Sequence, residues 1–421
     1  MIGLSKRNFK LCSIHALCIA LAISVCANGV ITDLFLLRLE FDLAKFGIIK
    51  SCMYLLPAIS YFAATGFLSR LNKDLDVAAQ AYLWRVILPI ILTATALLTR
   101  SQNFLLILAV VIFSLSFSCA MFANNTLLKI YRNAFSPPDF NRGCIFLTAL
   151  LGFPGTLFCL LAIAILNRFS DNRQSFLICL LVIQLFTLLF EYPGIKALKA
   201  VRFPSRTSAA ENKAQQAHIS DIFRCRPLKK LLLLSTLHGM WTGAVATYFV
   251  VYLLRSWNIK PQWVVSLEFT LTVITFFLSR KIGKLADRFG YLRVIRFCLL
   301  GIIIAQSLWL TAPDFWPFLL LFCLCAHSGQ GLLGLAGYSI ENAWVAALAK
   351  AGQHELFIAA RTLLLSLGSF LGCQLAGPLF SLLAGTETEK FISFFRWTLL
   401  LPVLMLIFTM KIKPMKPSRS K

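Results

Sequence analysis

Apolar residues in this chain gather in long runs rather than in short alternating stretches. The runs cover 11–37, 47–69, 82–99, 103–128, 143–167, 175–198, 230–254, 262–279, 292–312, 315–346, 358–384 and 391–411. Each is near or above the ~20 residues that carry a helix across about 30 Å of hydrocarbon. A helix satisfies every backbone N–H and C=O within its own segment, as that solvent demands. The pattern therefore predicts an all-α integral membrane protein with twelve transmembrane helices. The first run is too long for a signal-peptide core and lacks a convincing cleavage site, so it reads as the first span.

One long polar interruption divides the runs. Segment 199–228 carries Ser205, Arg206, Glu211, Asn212, Lys213, Gln215 and Gln216, then the basic stretch Arg224 to Lys230. It reads as a cytoplasmic linker between an N-terminal six-helix bundle, 1–198, and a C-terminal one, 229–421. A weak internal repeat points to the same division. An offset of 217 residues places Gly66 on Gly283, Leu68 on Leu285, Asn125 on Asn342 and Gly155 on Gly372, with Arg142 and Arg361 two residues out of step. The two bundles are thus expected to be pseudo-symmetric.

Composition agrees with this reading: 58% of the 421 residues are hydrophobic and 14% charged, unlike a soluble domain. A net charge of +24 raises the question of nucleic acid. Its distribution answers it. With the N-terminus inside, 31 of the 41 lysines and arginines fall on the inner side. That bias predicts both termini in the cytoplasm, with the bilayer as partner and no nucleic acid. A bacterial inner membrane is the expected location, and a monomer the expected state. The thirteen cysteines are scattered, and only Cys323 and Cys325 lie close together. They read as small core residues, not as a redox or metal set. No H-x-x-x-H pair and no Walker motif occurs, so no metal, cofactor or nucleotide chemistry is expected.

Between two apolar runs lies Gly283-Lys-Leu-Ala-Asp287-Arg288-Phe-Gly290-Tyr-Leu-Arg293. This stretch resembles the G-x-x-x-D-R-x-G-x-x-R/K loop signature of the major facilitator superfamily, which joins helices 2 and 3 there and recurs between helices 8 and 9. The resemblance implies a transporter of two parallel repeats working by alternating access. It also implies a latch at the cytoplasmic face, in which Asp287 meets the start of helix 5 near Arg142. Gly283 and Gly290 would permit the close approach and tight turn, beside Arg288 and Arg293. The first copy departs from the pattern: Arg70 stands where the acid belongs.

The family lines its cavity with helices 1, 4, 7 and 10. Their candidates here are Asn28, Asn125, His238, Trp241, Tyr248, His327, Gln330 and Tyr338, an aromatic and hydrogen-bonding set. His327, Gln330, Gly334, Tyr338 and Glu341 share one helical face. Helix–helix packing accounts for such residues as well as cavity lining does. Glu268, Thr272, Thr275 and Ser279 make a polar stripe in the eighth run. A charge at that depth costs roughly 2.5–3.5 kcal/mol on insertion scales, which marks Glu268 as a functional or ion-paired residue. The stripe is similar to that of the proton-coupled nucleoside and phenylpropionate branch, whose members carry a glutamate in helix 8. That implies a small organic solute as substrate and protons as a further partner. Two alternatives stay open: a non-transporting sensor or assembly factor on the same fold, suggested by Arg70, and a membrane enzyme, for which no catalytic set is found.

Overall fold

The computed structural model describes residues 2–26, 29–68, 74–134, 137–169, 172–202, 222, 224–326, 332–348 and 354–412. These residues form helices and connecting turns, with no strand among them. The helices are α1 (Ile2–Cys26), α2 (Gly29–Arg38), α3 (Leu43–Leu68), α4 (Asp74–Leu98), α5 (Gln102–Ala134), α6 (Pro137–Asn167) and α7 (Arg173–Lys199). Then follow α8 (Arg226–Arg255), α9 (Pro261–Phe289), α10 (Tyr291–Thr311), α11 (Trp316–Cys325), α12 (Leu332–Leu348), α13 (His354–Leu382), α14 (Glu387–Thr398) and α15 (Leu400–Met410). Among the described residues, nine helical segments are long and apolar enough to cross a membrane, and Pro154–Asn167 and Trp316–Cys325 are shorter apolar helices. Much of segment 199–228 lies outside the described residues.

Local chemistry explains the helix ends. Asn172 caps α7 by accepting from the backbone N–H groups of Gln174 and Ser175. Thr386 and Glu389 form a reciprocal capping box at the start of α14. Five helices contain an internal proline: Pro57, Pro89, Pro154, Pro193 and Pro378. Such breaks persist in membrane helices because neighbouring groups satisfy the freed carbonyls. In α4, Thr93 Oγ1 donates to the Pro89 carbonyl at 3.0 Å. The outer surface is apolar, with Leu98, Phe277, Phe297 and Leu382 among the most exposed side chains. Several polar side chains, Gln184, Thr187, Gln306 and Arg361 among them, are buried instead, as expected where the surface faces lipid.

The chain divides into two compact units. The first comprises Met1–Ile49, Ile59–Lys213 and Lys260–Thr272. There α1 packs along α6 and α7, and α4 along α5 and α7. Gly155 makes the α1–α6 approach close: a Cβ at that position would stand 2.8 Å from the Ala20 carbonyl oxygen. The second unit comprises Lys50–Ala58, Ala214–Ile259 and Val273–Lys421.

In the second unit α8 lies along α13. Two glycine pairs face each other across this seam. A Cβ on Gly239 or Gly243 would strike the backbone of Leu365 or Ser369, and one on Gly368 or Gly372 the backbone of Thr236 or Met240. Each pair has the small-xxx-small spacing that lets membrane helices touch backbone to backbone. Beyond the seam is an aromatic core. The rings of Trp309 and Phe322 stack at 5.0 Å, and Tyr252, Phe391 and Phe395 pack around them.

Candidate functional site

A buried charged cluster sits where α8, α12 and α13 meet. Glu341 on α12 is its centre, 2% exposed. Arg361 Nη2 on α13 donates to Glu341 Oε2 at 2.7 Å. Ser235 Oγ on α8 donates to the same oxygen at 3.0 Å. His238, one turn further along α8, meets Oε1 through Nδ1 at 2.9 Å. A carboxylate oxygen accepts, so His238 donates from Nδ1.

The glycine seam positions this cluster. Ser235, His238 and Gly239 follow one another along the α8 face that carries the first glycine pair. Arg361 stands seven residues, about two turns, before Gly368 on α13. The absence of side chains at Gly239 and Gly368 brings the two backbones together, and the long arginine spans the remaining distance to α12. Burying an ion pair is expensive unless every donor and acceptor is used well. Here three donors on two helices fix one carboxylate on a third, which ties the three helices into one register.

The other sequence-derived candidates fall differently. Trp241 is fully buried, its ring 6.2 Å from that of His238, and its Nε1–H has no hydrogen-bond partner. Tyr248 is enclosed by the rings of Phe380, Phe391 and Phe394, which makes it a packing residue in this conformation. Glu268 is half-buried on the part of α9 that belongs to the first unit, close enough to Cys159 of α6 to act on it electrostatically. Gln262, on the same helix, accepts from Asn167 at 3.4 Å. Asn28, His327 and Gln330 lie outside the described residues, as do the side chains of Asn125 and Tyr338.

In the loop, α9 and α10 are joined by Gly290 alone, at φ +84° and ψ 147°, a conformation that side chains disfavour. Arg288 and Arg293 are exposed, and the Arg288 guanidinium lies 5.3 Å from the centre of the Phe289 ring. The side chains of Asp287 and Arg142, and the contacts of Gly283, lie outside the described residues, as does Arg70.

Neither Ser235 nor Arg361 is among the sequence-derived site residues, and Glu341 enters there only as a member of the His327 face. The readable signal was an arginine and a glutamate inside apolar runs, each needing a partner.

No protein-family profile and no curated protein matches the chain by sequence. Solved structures match its fold. A D-xylose–proton symporter superposes with a TM-score of 0.74 at 13% identity, over 97% of this chain and 98% of the other. A bacterial homologue of the iron transporter ferroportin gives 0.69 at 15%, over 96% and 98%. The nucleoside transporter NupG gives 0.62 at 12%, over 97% and 100%. The chain therefore shares its fold with these transporter structures, an architecture of many apolar helices.

Proposed function

We propose that this chain is a secondary transporter that moves a small organic solute across the membrane by alternating access. The observation that carries the reading is the likeness in fold to transporters over nearly the whole chain. The reading includes twelve spans in two six-helix bundles, joined by segment 199–228 with both termini inside, and a bacterial inner membrane as its location. In this reading the Asp287 loop latches one state of the cycle.

Two acids divide the work. Glu341 accepts from Ser235, His238 and Arg361, so it holds the second unit together and is not free to receive solute. Glu268 is only half-buried, and it is the acid proposed to couple solute to protons. Sugar–proton symport by one structural neighbour and nucleoside transport by another make a hydroxyl-rich solute the first class to try.

The test begins with the purified protein and a metabolite panel at two pH values, scored by thermal stabilisation, since a ligand specific for the folded state raises apparent stability by mass action. Hits are then followed as uptake into proteoliposomes under a pH gradient. Uptake driven by the gradient and lost in Glu268→Gln is the expected result. Full uptake by Glu268→Gln that still depends on pH removes Glu268 from coupling, and a panel without hits removes support for solute transport itself.

A further inference from the structure

A second buried acid lies in the first unit, apart from the site above. Glu191 on α7 is 1% exposed, and neither Oε1 nor Oε2 has a hydrogen-bond partner. From α1, Cys18 and Cys26 lie close enough to feel its charge. From α4, Tyr82 and Arg85 do the same. The described side chains of α6 add no charged group. Arg85 is therefore the one cation facing Glu191 among the described residues, yet no ion pair joins the two.

We propose that Glu191 is a proton-binding site, neutral as the helices stand here and ionised when the Arg85 guanidinium moves onto it. An ionised carboxylate in this position would give up its hydration with no donor in exchange, whereas the protonated acid gives up much less. When the acid ionises, its proton passes to water and the charge left behind is neutralised by Arg85. The carboxyl thus holds either a proton or a guanidinium, and α4 shifts against α7 as it changes from one to the other.

The surroundings provide a polar line to this acid. Gln184, Thr187 and Glu191 follow at i, i+3 and i+7 on the inner face of α7, and all are buried. Cys26 Sγ lies 3.9 Å from Thr187 Oγ1. A cavity of about 10 Å³, near the room needed by one water, is lined by Gln184, Cys26, Thr32 and Thr93 at one end. At the other end His15 Nδ1 donates to the Gly194 carbonyl at 3.0 Å, which leaves Nε2 as an unpartnered acceptor. From Gln184 to Gly194 the line runs about 15 Å by helical rise. It lies within one unit and does not depend on which solute is carried.

Infrared difference spectroscopy of the full chain in liposomes tests this without a solute. At neutral pH the wild type should show a protonated-carboxyl band that Glu191→Gln lacks. Raising the pH should remove the band, and Arg85→Gln should delay its loss by about one pH unit or more, because a nearby cation favours the charged form. Should Glu191→Gln fail to reach the membrane, Glu191→Asp supplies the comparison: it keeps an acid and must shift the band. Spectra unchanged by substitution at Glu191 overturn the proposal, as does an Arg85→Gln titration identical to wild type. A band lost at constant pH when sodium chloride replaces choline chloride assigns the site to sodium instead and overturns the proton reading. A normal band beside failed uptake would separate this proposal from the transport one.

Discussion

Glu341 and Arg361 show how one residue's burial fixes the consequence of its loss. Arg361 is fully buried and reaches Glu341 at 2.7 Å. Replacing Glu341 with Gln leaves the guanidinium in place without its counter-charge. Breaking one side of a buried pair costs about 3–5 kcal/mol, whereas replacing both partners with apolar groups of similar size is often neutral. Glu341→Gln is therefore expected to lower the unfolding midpoint in detergent markedly. Glu341→Leu combined with Arg361→Met should recover most of the loss, and no recovery would mean that the ion pair does more than satisfy its own charges. Much of this site was not legible in the sequence. Glu341 could be placed on a helical face, but counting along its own helix sets it far from His327 and says nothing of His238, more than a hundred residues earlier. Their contact depends on how α8, α12 and α13 cross, and periodicity within one helix does not encode a crossing.

At the scale of elements, hydropathy was the reliable guide, because lipid demands long apolar helices. The runs at 175–198 and 292–312 became α7 and α10 with ends displaced by a few residues. Tyr248 of α8 meets phenylalanines on α13 and α14, whose positions no local pattern reveals. The spacing of Gly368 and Gly372 is readable along α13, but not that Gly239 and Gly243 of α8 lie against them. Gly243→Ala tests that seam. The new methyl would lie 2.7 Å from Ser369 Cα, and overpacking of this kind typically costs about 1–3 kcal/mol. The thermal midpoint should fall, and it should fall further with Gly243→Leu. An unchanged midpoint in both variants would mean that the seam is looser than its backbone contacts imply.

On the scale of the whole molecule, the long apolar runs carried the helical architecture that the solved transporter structures share. Gly290 has a positive φ at the one-residue turn between α9 and α10, and each unit buries some of its polar side chains, Gln184 in the first and Arg361 in the second. Sequence alone placed charged residues in apolar runs; it could not say which unit each would join. Glu268 is an example, since its part of α9 packs within the first unit although it follows the linker.

The glycine seam also has a consequence for chemical labelling. Cys373 stands one residue beyond Gly372, is 1% exposed, and donates its thiol to the Gly243 carbonyl at 3.3 Å. A maleimide cannot reach that sulfur while α8 and α13 touch. In a variant whose other cysteines are replaced, Cys373 becomes an internal clock for the second unit. If the unit turns over as a rigid body, the thiol stays unmodified however long transport runs. Labelling that grows with each cycle would mean instead that transport opens the seam itself.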